Sequence, residues 1–409
     1  MNKPFTKDSH QNPLKQRKKN MLIPSRPFNP IRSPPPFPAK PNHPNRMPSH
    51  SSSSSTTSSL TSTSPSHSLP IGTQCEEELL SLREWQAWGT ASPVPTMVAQ
   101  VIKNMKALER DSDSPMTFGG VGGKLQGEFK TREDKKHRAV YQSLTDPESK
   151  LQFFSARQIA CRLLGSRGYL CQKCWLAMED CMCSKMASCS LWHRIRFWLY
   201  MHPKDFLRQN NTGKLLWQIF GFQAATLCIF GIDEHEGIMW DAFKLAGKDM
   251  VWFLYPNKNT TSYSIQDICL PTLSRSLDGQ SATEHEENPL NFVLIDGTWS
   301  NSSAMFHRLK EHAKKIWGDD DLPCITLSGT GASAMHKLRP QPSWDRTCTA
   351  AAAASLLSEL HLRPELGLYG LDEQAVAVED ALEVLLDALT NRRLRMGRSI
   401  TRREKDHFM

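Results

Sequence analysis

The stretch that decides the fold is residues 291–300, which read NFVLIDGTWS. Residues 292–295 form a short apolar run of strand length, a glycine turn follows, and a helical pattern extends over 300–317. Ligands of open α/β sheets bind beyond the carboxyl ends of the strands, so Asp296 occupies a position where chemistry usually takes place. Acids at strand ends often serve only as helix caps, and the position alone leaves both roles open.

The same alternation of apolar runs and helical patterns fills the second half of the chain. The apolar runs are 225–232, 250–255, 291–295 and 322–327, and the helical patterns are 300–317, 346–362 and 372–395. Continuous apolar strands between helices predict a mostly parallel sheet flanked by helices, which is an α/β fold. Residues 215–232 contain no charge, but their glutamines, threonine and glycines favour buried core over a membrane span.

Residues 1–75 are predicted to form a disordered tail. The chain has 409 residues and a net charge of +8, but the tail holds ten of its basic residues and one acidic residue. The rest of the chain is close to neutral, so a nucleic-acid site there must come from local basic clusters. Twelve serines and four threonines among residues 49–68 cannot bury enough apolar surface to fold. An organelle transit peptide, a nuclear address at Lys15–Lys19, a phosphate-binding patch and a solvated tail all fit this composition.

The segment after the tail is predicted to be mainly helical. Apolar residues at helical spacing predict a helix over Thr96–Arg110. Residues 119–124 (GGVGGK) fit neither a P-loop nor a dinucleotide-binding loop, because Leu125 stands where those patterns need Ser, Thr or a last glycine. We therefore expect a flexible connection there. The predicted layout is a tail over 1–75, a helical extension over 76–160, a main domain over 161–395 and a basic C-terminal tail over 396–409.

Four of the eleven cysteines have the spacing of a metal site. They follow the pattern Cys171-x2-Cys174-x6-Cys181-x-Cys183. Thiolates bind Zn²⁺ tetrahedrally, and two cysteines separated by two residues place two sulfurs on one ion with little loop closure. An odd cysteine count and the lack of an apolar secretory segment after Met1 favour a reducing compartment over disulfides. We predict a structural zinc site.

Residues 202–214 (HPKDFLRQNNTGK) form a polar segment before an apolar run. Asn211 or Thr212 would cap a helix that starts there. Alternatively, Arg208, Lys214 and the backbone amides would hold a carboxylate or a phosphate. Spacing alone favours the helix cap.

Two more segments join strand or turn patterns to polar residues. Residues 251–257 (VWFLYPN) form a strand that delivers polar residues to its end. Residues 338–340 (LRP) come before a small-residue helix near 349–354, which permits close packing against a sheet or a ligand.

Together these motifs resemble the DTW-domain family. Its signature, Asp-x-Thr-Trp, reads Asp296-Gly297-Thr298-Trp299 in this chain. The likeness extends to the four-cysteine cluster and to the stretches at 202–213, 254–256 and 338–340. Five motifs in the family's order make the resemblance specific.

The resemblance covers about residues 161–395, and residues 116–137 resemble an extension of the plant members. One departure concerns residues 348–352, which read Cys-Thr-Ala-Ala-Ala where the family often has Ser-Thr-x-Glu-Ala. A role for that glutamate cannot be carried over to this chain.

The resemblance implies an activity and a set of site residues. Members of the family are tRNA-uridine aminocarboxypropyltransferases, which move the 3-amino-3-carboxypropyl group of S-adenosylmethionine to N3 of a uridine. Their fold is similar to the knotted SPOUT type, and the absence of a G-x-G-x-G motif after any strand agrees. Catalytic candidates are Asp296, Thr298 and Trp299, and candidates for binding S-adenosylmethionine are Leu254, Tyr255, Pro256, Asn211, Thr212 and Gly213.

Asp296 is the candidate base, because uridine N3 must lose a proton to act as the nucleophile. An exposed aspartate titrates near ~3.9, which is too low for an efficient base at neutral pH. Burial behind residues 292–295 and beside Trp299 would raise that pKa. Trp299 would alternatively lie against the sulfonium or stack on a base.

N3 lies on the Watson–Crick edge, so the target uridine must be unpaired or extruded, as in a tRNA loop. Basic clusters at Lys130–Arg138 and Arg392–Lys405 are candidates for phosphate contacts, and the second, which continues an amphipathic helix, is the better one. Candidate RNA-binding residues are His202, Arg208, Arg339, Arg392 and Arg393.

A zinc-bearing RNA-binding module without catalysis is the competing hypothesis. The cysteine cluster and the basic ends would suffice for it, and the missing glutamate favours it. The intact signature at 296–299 on a strand–helix junction opposes it. We expect a cytoplasmic or nuclear protein, with organelle import through the tail as an alternative, and neither a membrane association nor an obligate protein partner.

Overall fold

The computed structural model describes residues 79–112, 114–120, 123–255, 262–270, 288–329, 333–338 and 347–399. The tail predicted over 1–75 lies outside these residues, as does most of the C-terminal tail. The first part of the described chain contains α1 (Leu82–Ala87), α2 (Thr96–Arg110), β1 (Thr117–Gly119), β2 (Lys124–Gln126), α3 (Gly127–Ser143) and α4 (Pro147–Ser166).

The second part of the chain carries a six-stranded sheet and its helices. The elements are β3 (Ile195–Met201), α5 (Lys214–Phe220), β4 (Ala225–Ile229), α6 (Asp233–Ala246), β5 (Val251–Leu254), β6 (Ser262–Tyr263), β7 (Leu290–Asp296), α7 (Trp299–Trp317), β8 (Cys324–Ile325), α8 (Thr349–His361) and α9 (Leu371–Arg395). The strand order is β4-β3-β7-β5-β8-β6, and all neighbouring strands pair in parallel. Met201 lies opposite Asp296, so β3 and β7 end side by side.

Both faces of the sheet are buried, because alternate residues of each strand enter different apolar clusters. Phe197 and Leu199 of β3 pack on one side, with residues of α5, α8 and α9. Trp198 and Tyr200 pack on the other side, with residues of α6 and α7. The prediction of a mostly parallel sheet flanked by helices is confirmed.

The uncharged run at 215–232 is divided between α5 and β4, and β4 is buried along its whole length. In the described part of the chain, no helix is both long enough and apolar enough to cross a membrane. The central strand β3 was not predicted from the sequence, because Arg196 interrupts its apolar run. Its side chain donates to Thr226 Oγ1 at 3.0 Å, and its guanidinium lies 4.2 Å from the centre of the Trp198 ring.

The glycine-rich residues near 120 belong to a hairpin in which β1 and β2 pair antiparallel. The expectation of a merely flexible connection was therefore wrong for the residues on either side of the turn. The hairpin reaches α4, where the Gly123 N–H donates to the Gly165 carbonyl at 3.4 Å. Helix α4 runs through residue 161, where the main domain was predicted to begin.

Buried polar contacts tie the helical extension to the helices that cover the sheet. Arg308 of α7 donates to Glu236 of α6 and, at 2.6 Å, to Glu148 of α4. His235 of α6 lies 2.7 Å from the hydroxyl of Ser92, which also accepts from the Trp85 indole at 3.0 Å. The extension thus contributes to the same folded unit as the sheet.

Candidate active site and metal site

A cavity of about 110 Å³ lies at the carboxyl ends of β5 and β7, where ligands of parallel sheets collect. In the described part of the chain its charged lining residues are Asp205 and Asp296, and we call it the acidic cavity. The other lining residues are Asn210, Asn211, Thr212, Leu254, Tyr255, Leu294, Ile295, Gly297, Trp299, Ser302, Met335, Thr347, Cys348, Thr349 and Ala352. Five segments that are distant in the sequence therefore meet at one edge of the sheet.

Asp296 is held by a neutral donor on each carboxylate oxygen. The Asn211 side-chain amide donates to Oδ2 at 2.8 Å, and the Thr349 hydroxyl donates to Oδ1 at 3.1 Å. The residue is buried, with 6% of its surface exposed. These contacts fix the carboxylate at the carboxyl end of β7.

Asn211 joins the start of α5 to the acidic cavity. Its side-chain oxygen accepts from the backbone N–H of Lys214 at 3.0 Å, which caps α5, while its amide donates to Asp296. Gly213 lies directly against Asp296, where a Cβ would overlap Oδ2. The glycine of this segment is therefore required by close approach.

Asp205 is the second carboxylate of the acidic cavity and is 3% exposed. Its Oδ1 accepts from Arg208 Nη1 at 2.5 Å. Its buried Oδ2 has no hydrogen-bond partner among the described residues. The turn that carries it is backed by Leu207, which is buried and has a left-handed φ of 56°, a costly conformation for a bulky residue.

Three of the remaining candidate residues line the acidic cavity, and two others do not belong to its described lining. Trp299, Leu254 and Tyr255 line the acidic cavity, and the Tyr255 ring stacks on Phe306 with 4.3 Å between centroids. Thr298 is the N-cap residue of α7, where its carbonyl accepts from the N–H groups of the first turn, and it is not among the described lining residues. Pro256 lies outside the described residues.

A second depression, of about 340 Å³, adjoins the acidic cavity and shares Asn210 and Met335 with it. We call it the arginine cleft after five of its residues, Arg162, Arg208, Arg392, Arg393 and Arg398. Among the RNA-binding candidates, Arg208, Arg392 and Arg393 therefore come together. Arg339 lies outside the described residues.

The arginine cleft has an excess of positive charge. Burial and the neighbouring Arg208 guanidinium both lower the pKa of Arg162. Arg162 and Arg393 each donate to a backbone carbonyl, at 2.7 and 3.3 Å, which orients both guanidinium groups. Such an arrangement favours an anion with several oxygens, such as a phosphate.

The other basic cluster, on α3, is built differently. Lys130 pairs with Asp134, and Arg132 pairs with Glu128 at 2.5 Å, both within the same helix. These are exposed helix pairs of the usual i,i+4 kind. The cluster therefore resembles a solvated helix face more than an anion site.

His202 lies away from the arginine cleft. Its ring is stacked on Phe230 at 5.8 Å, its Nδ1 accepts from the Lys204 N–H at 3.2 Å, and burial lowers its pKa to about 4. Its backbone N–H donates to the Asp296 carbonyl at 2.9 Å. The structure thus places His202 behind the acidic cavity, as a neutral support for the turn that follows β3.

The four cysteines form a group whose sulfurs all lie within 4.8 Å of one another. The Cys171–Cys183 and Cys174–Cys181 sulfur distances are 3.6 and 3.9 Å. A tetrahedron with Zn–S bonds of about 2.3 Å has sulfur–sulfur edges of about 3.8 Å. The donor set and its spacing therefore fit a zinc ion.

The cysteine segment contacts the arginine cleft through charged residues. Lys214 is fully buried beside Trp175 of the cluster and donates to the Gln209 carbonyl at 2.6 Å. Asp180 accepts from Arg395 at 2.6 Å and lies 3.5 Å from Arg392. An ordered cysteine segment thus supports the loop before α5 and the end of α9.

These features define an α/β protein with a polar ligand cavity at the carboxyl edge of a parallel sheet and a four-cysteine metal site. The family model of the DTW domain matches residues 168–394, which is more than half of the chain. The chain belongs to the DTW domain family, which points to a tRNA-modifying transferase in general. No solved structure matches the chain, and the knot implied by the resemblance stays a prediction.

Sequence reasoning did not assign Asp205 or Thr349 to the site. Asp205 belongs to the polar segment at 202–214, which follows β3, and the sequence pattern does not reveal that strand. Its position in the same cavity as Asp296 follows from the pairing of β3 with β7. Thr349 is at the start of the small-residue helix, whose composition indicates close packing and does not by itself indicate a polar contact. Recognising Ile195–Met201 as a strand would have pointed to Asp205.

Proposed function

We propose that this protein transfers the 3-amino-3-carboxypropyl group of S-adenosylmethionine to N3 of an unpaired uridine in tRNA. The observation that carries the proposal is the position of the family signature. Asp296 and Trp299 line the acidic cavity at the sheet edge, directly beside a cleft of arginines. A binding module without catalysis needs the cleft but not the cavity.

The charges of the two depressions suit the two substrates. S-adenosylmethionine carries a sulfonium and an ammonium group, and the acidic cavity offers two carboxylates. The start of α8 also lines the cavity, and helix N-termini favour anions, so we place the carboxylate end of the co-substrate there. The RNA backbone is a polyanion and suits the arginine cleft.

The proposed reaction is a substitution at the carbon that joins the amino-acid chain to the sulfonium. A bond forms between uridine N3 and this carbon, the carbon–sulfur bond breaks, and its electron pair stays on sulfur, which gives methylthioadenosine. The N3 proton moves to the Asp296 carboxylate, which Asn211 and Thr349 hold in one orientation. The choice of the chain over the methyl group depends on which carbon the cavity aims at N3.

The cysteine cluster has a structural role in this proposal. Cys171, Cys174, Cys181 and Cys183 would hold a zinc ion, which supplies folding energy to the segment. Four thiolates would complete the coordination of such an ion, so the catalytic groups of the proposal are those of the acidic cavity.

The experiment that tests the proposal uses the full chain, tRNA and S-adenosylmethionine labelled either in the aminocarboxypropyl chain or in the methyl group. We expect chain label on the tRNA, with methylthioadenosine as the released product and Asp296→Asn as the inactive control. Methyl label on the tRNA would show a methyltransferase instead. Binding of tRNA without release of methylthioadenosine would favour the RNA-binding module.

A further inference from the structure

We propose that Asp205 binds the ammonium group of the co-substrate and thereby sets which carbon faces the nucleophile. This inference rests on the proposed function and names a residue that determines its specificity. It begins from the open Oδ2 of Asp205, which lies buried in the wall of the acidic cavity without a hydrogen-bond partner among the described residues. Buried polar atoms are normally paired, so an atom of this kind indicates a ligand.

The chemistry of Oδ2 restricts what that ligand is. An ionised carboxylate only accepts hydrogen bonds, so its partner is a cation or an N–H or O–H donor. Arg208 already occupies Oδ1, and its guanidinium belongs to the wall of the arginine cleft. The ligand of Oδ2 therefore comes from the acidic cavity, in which the charged lining residues that the structure describes are both carboxylates.

S-adenosylmethionine offers an ammonium group, an adenine amino group and ribose hydroxyls as donors. The ammonium nitrogen is three bonds from the reacting carbon, whereas the ribose hydroxyls lie beyond the sulfur. A cavity of about 110 Å³ is smaller than the roughly 300–1,000 Å³ of ordinary ligand pockets, so it holds one end of the co-substrate. Because Asp296 lines the same small space, that end is the reacting chain.

The backbone fixes the two carboxylates relative to each other. The Asp205 N–H donates to the His202 carbonyl at 2.8 Å, and the His202 N–H donates to the Asp296 carbonyl at 2.9 Å. Phe206 and Leu207, both fully buried, anchor the turn from the other side. An ammonium group held by Asp205 would therefore place the adjoining chain at a constant position relative to Asp296.

The test compares two ligands that differ in the amino-acid chain. S-adenosylhomocysteine carries the ammonium group, and methylthioadenosine lacks the whole chain. Calorimetric titration of the full-length Asp205→Asn variant should show about 10- to 100-fold weaker binding of S-adenosylhomocysteine, as expected for a lost hydrogen bond to a charged group. Binding of methylthioadenosine should stay within about twofold, because no charged contact to that ligand is lost.

The matched control is Glu133→Gln, which removes the charge of another buried carboxylate that pairs with an arginine, on α3 and outside the acidic cavity. It should leave both affinities unchanged. A second measurement needs no variant: the wild-type chain should bind the deamino analogue of S-adenosylhomocysteine as weakly as Asp205→Asn binds the parent ligand.

The outcomes separate this inference from the proposed function. Equal losses for both ligands would assign Asp205 to the adenosine part or to the fold, and no loss for either would leave it without a contact to the co-substrate. Either result overturns the inference alone. A wild-type chain that binds neither ligand overturns the proposed function as well.

Discussion

The acidic cavity and the arginine cleft are neighbours with opposite charge. They share Asn210 and Met335, yet the charged residues of the cavity are carboxylates and those of the cleft are arginines. The cavity is formed at the strand ends, whereas the cleft lies between the loop after β3 and the end of α9. Because of this difference, a small cationic ligand and a polyanion can be bound side by side without competing for the same groups.

The two regions also differ in how their polar groups are satisfied. In the cavity, Asp296 is bonded on both oxygens by neutral donors from other segments. In the cleft, Arg162 and Arg393 donate to backbone carbonyls. Ligand binding in the cavity should therefore depend on the positions of individual polar groups, and anion binding in the cleft should depend on its total charge. Substitutions should affect the two regions in different ways.

The largest expected effect comes from Asp296→Asn, which keeps the size of the side chain and removes the proton acceptor. Loss of a general base typically lowers the rate by about 10²–10⁴-fold. We expect this loss in kcat, while the affinity for tRNA, which depends on the cleft, stays unchanged. Single-turnover rates and filter binding on one preparation provide the measurement, and a parental rate in the variant would remove Asp296 as the base.

The next effect is expected from Cys174→Ser, which removes a ligand from the metal site that supports both regions. The parent chain should contain about one zinc ion, and the variant should contain less and melt at a lower temperature. Because the segment contacts Gln209 through Lys214 and Arg392 through Asp180, both co-substrate and tRNA binding should weaken. Metal analysis of reduced protein checks the first point, and a zinc-free, stable parent would contradict it.

A smaller and more selective effect is expected from the double variant Arg392→Gln, Arg393→Gln. Loss of two phosphate contacts should flatten the slope of log affinity against log salt by about 1.4–1.8. Binding of S-adenosylhomocysteine should not change. The matched control is Lys135→Gln, Lys136→Gln on α3, and an equal loss in that control would show that the cleft has no special role.

The smallest effect concerns stability at mildly acidic pH, through a fully buried histidine of α6. Burial lowers the pKa of His235 to about 3, and its Nδ1 accepts from the Ile229 N–H at 3.1 Å. The unfolded chain takes up this proton below about pH 6.5 and the folded chain does not, so stability is lost as the pH falls.

At pH 5 the loss from His235 should be about 2 kcal/mol relative to neutral pH. His202, whose pKa is about 4, should add a loss of similar size with the same sign. Urea titrations at pH 7 and pH 5 measure the difference, and His235→Gln should show a shallower pH dependence. An identical pH dependence in that variant would contradict the assignment.

Features that depend on one short stretch of the chain were predictable from the sequence. Features that depend on how the strands pair were not. The cysteine cluster was predictable because all four ligands lie within one short segment. Asp296 and Tyr255 were predictable because each follows an apolar strand. The position of Asp205 in the same cavity as Asp296 was not, because it depends on the register of β3, whose pattern Arg196 obscures.

Thr349 and Thr298 illustrate a second limit. The hydroxyl of Thr349 reaches Asp296 because α8 approaches the end of β7, and no pattern within the helix carries that information. Thr298 lies inside the signature, but its backbone role as a cap is as compatible with the motif as a role in the cavity. Motif membership therefore located the site more reliably than it assigned the roles within it.

The contact between Gly213 and Asp296 also restricts which sequences are compatible with this site. A side chain at position 213 would overlap the carboxylate at position 296, so the two positions cannot vary independently. A relative with alanine at the first position should carry a shorter residue or a shifted strand at the second. In a set of related sequences, the residues at positions 213 and 296 would therefore distinguish chains that have this geometry from chains that do not.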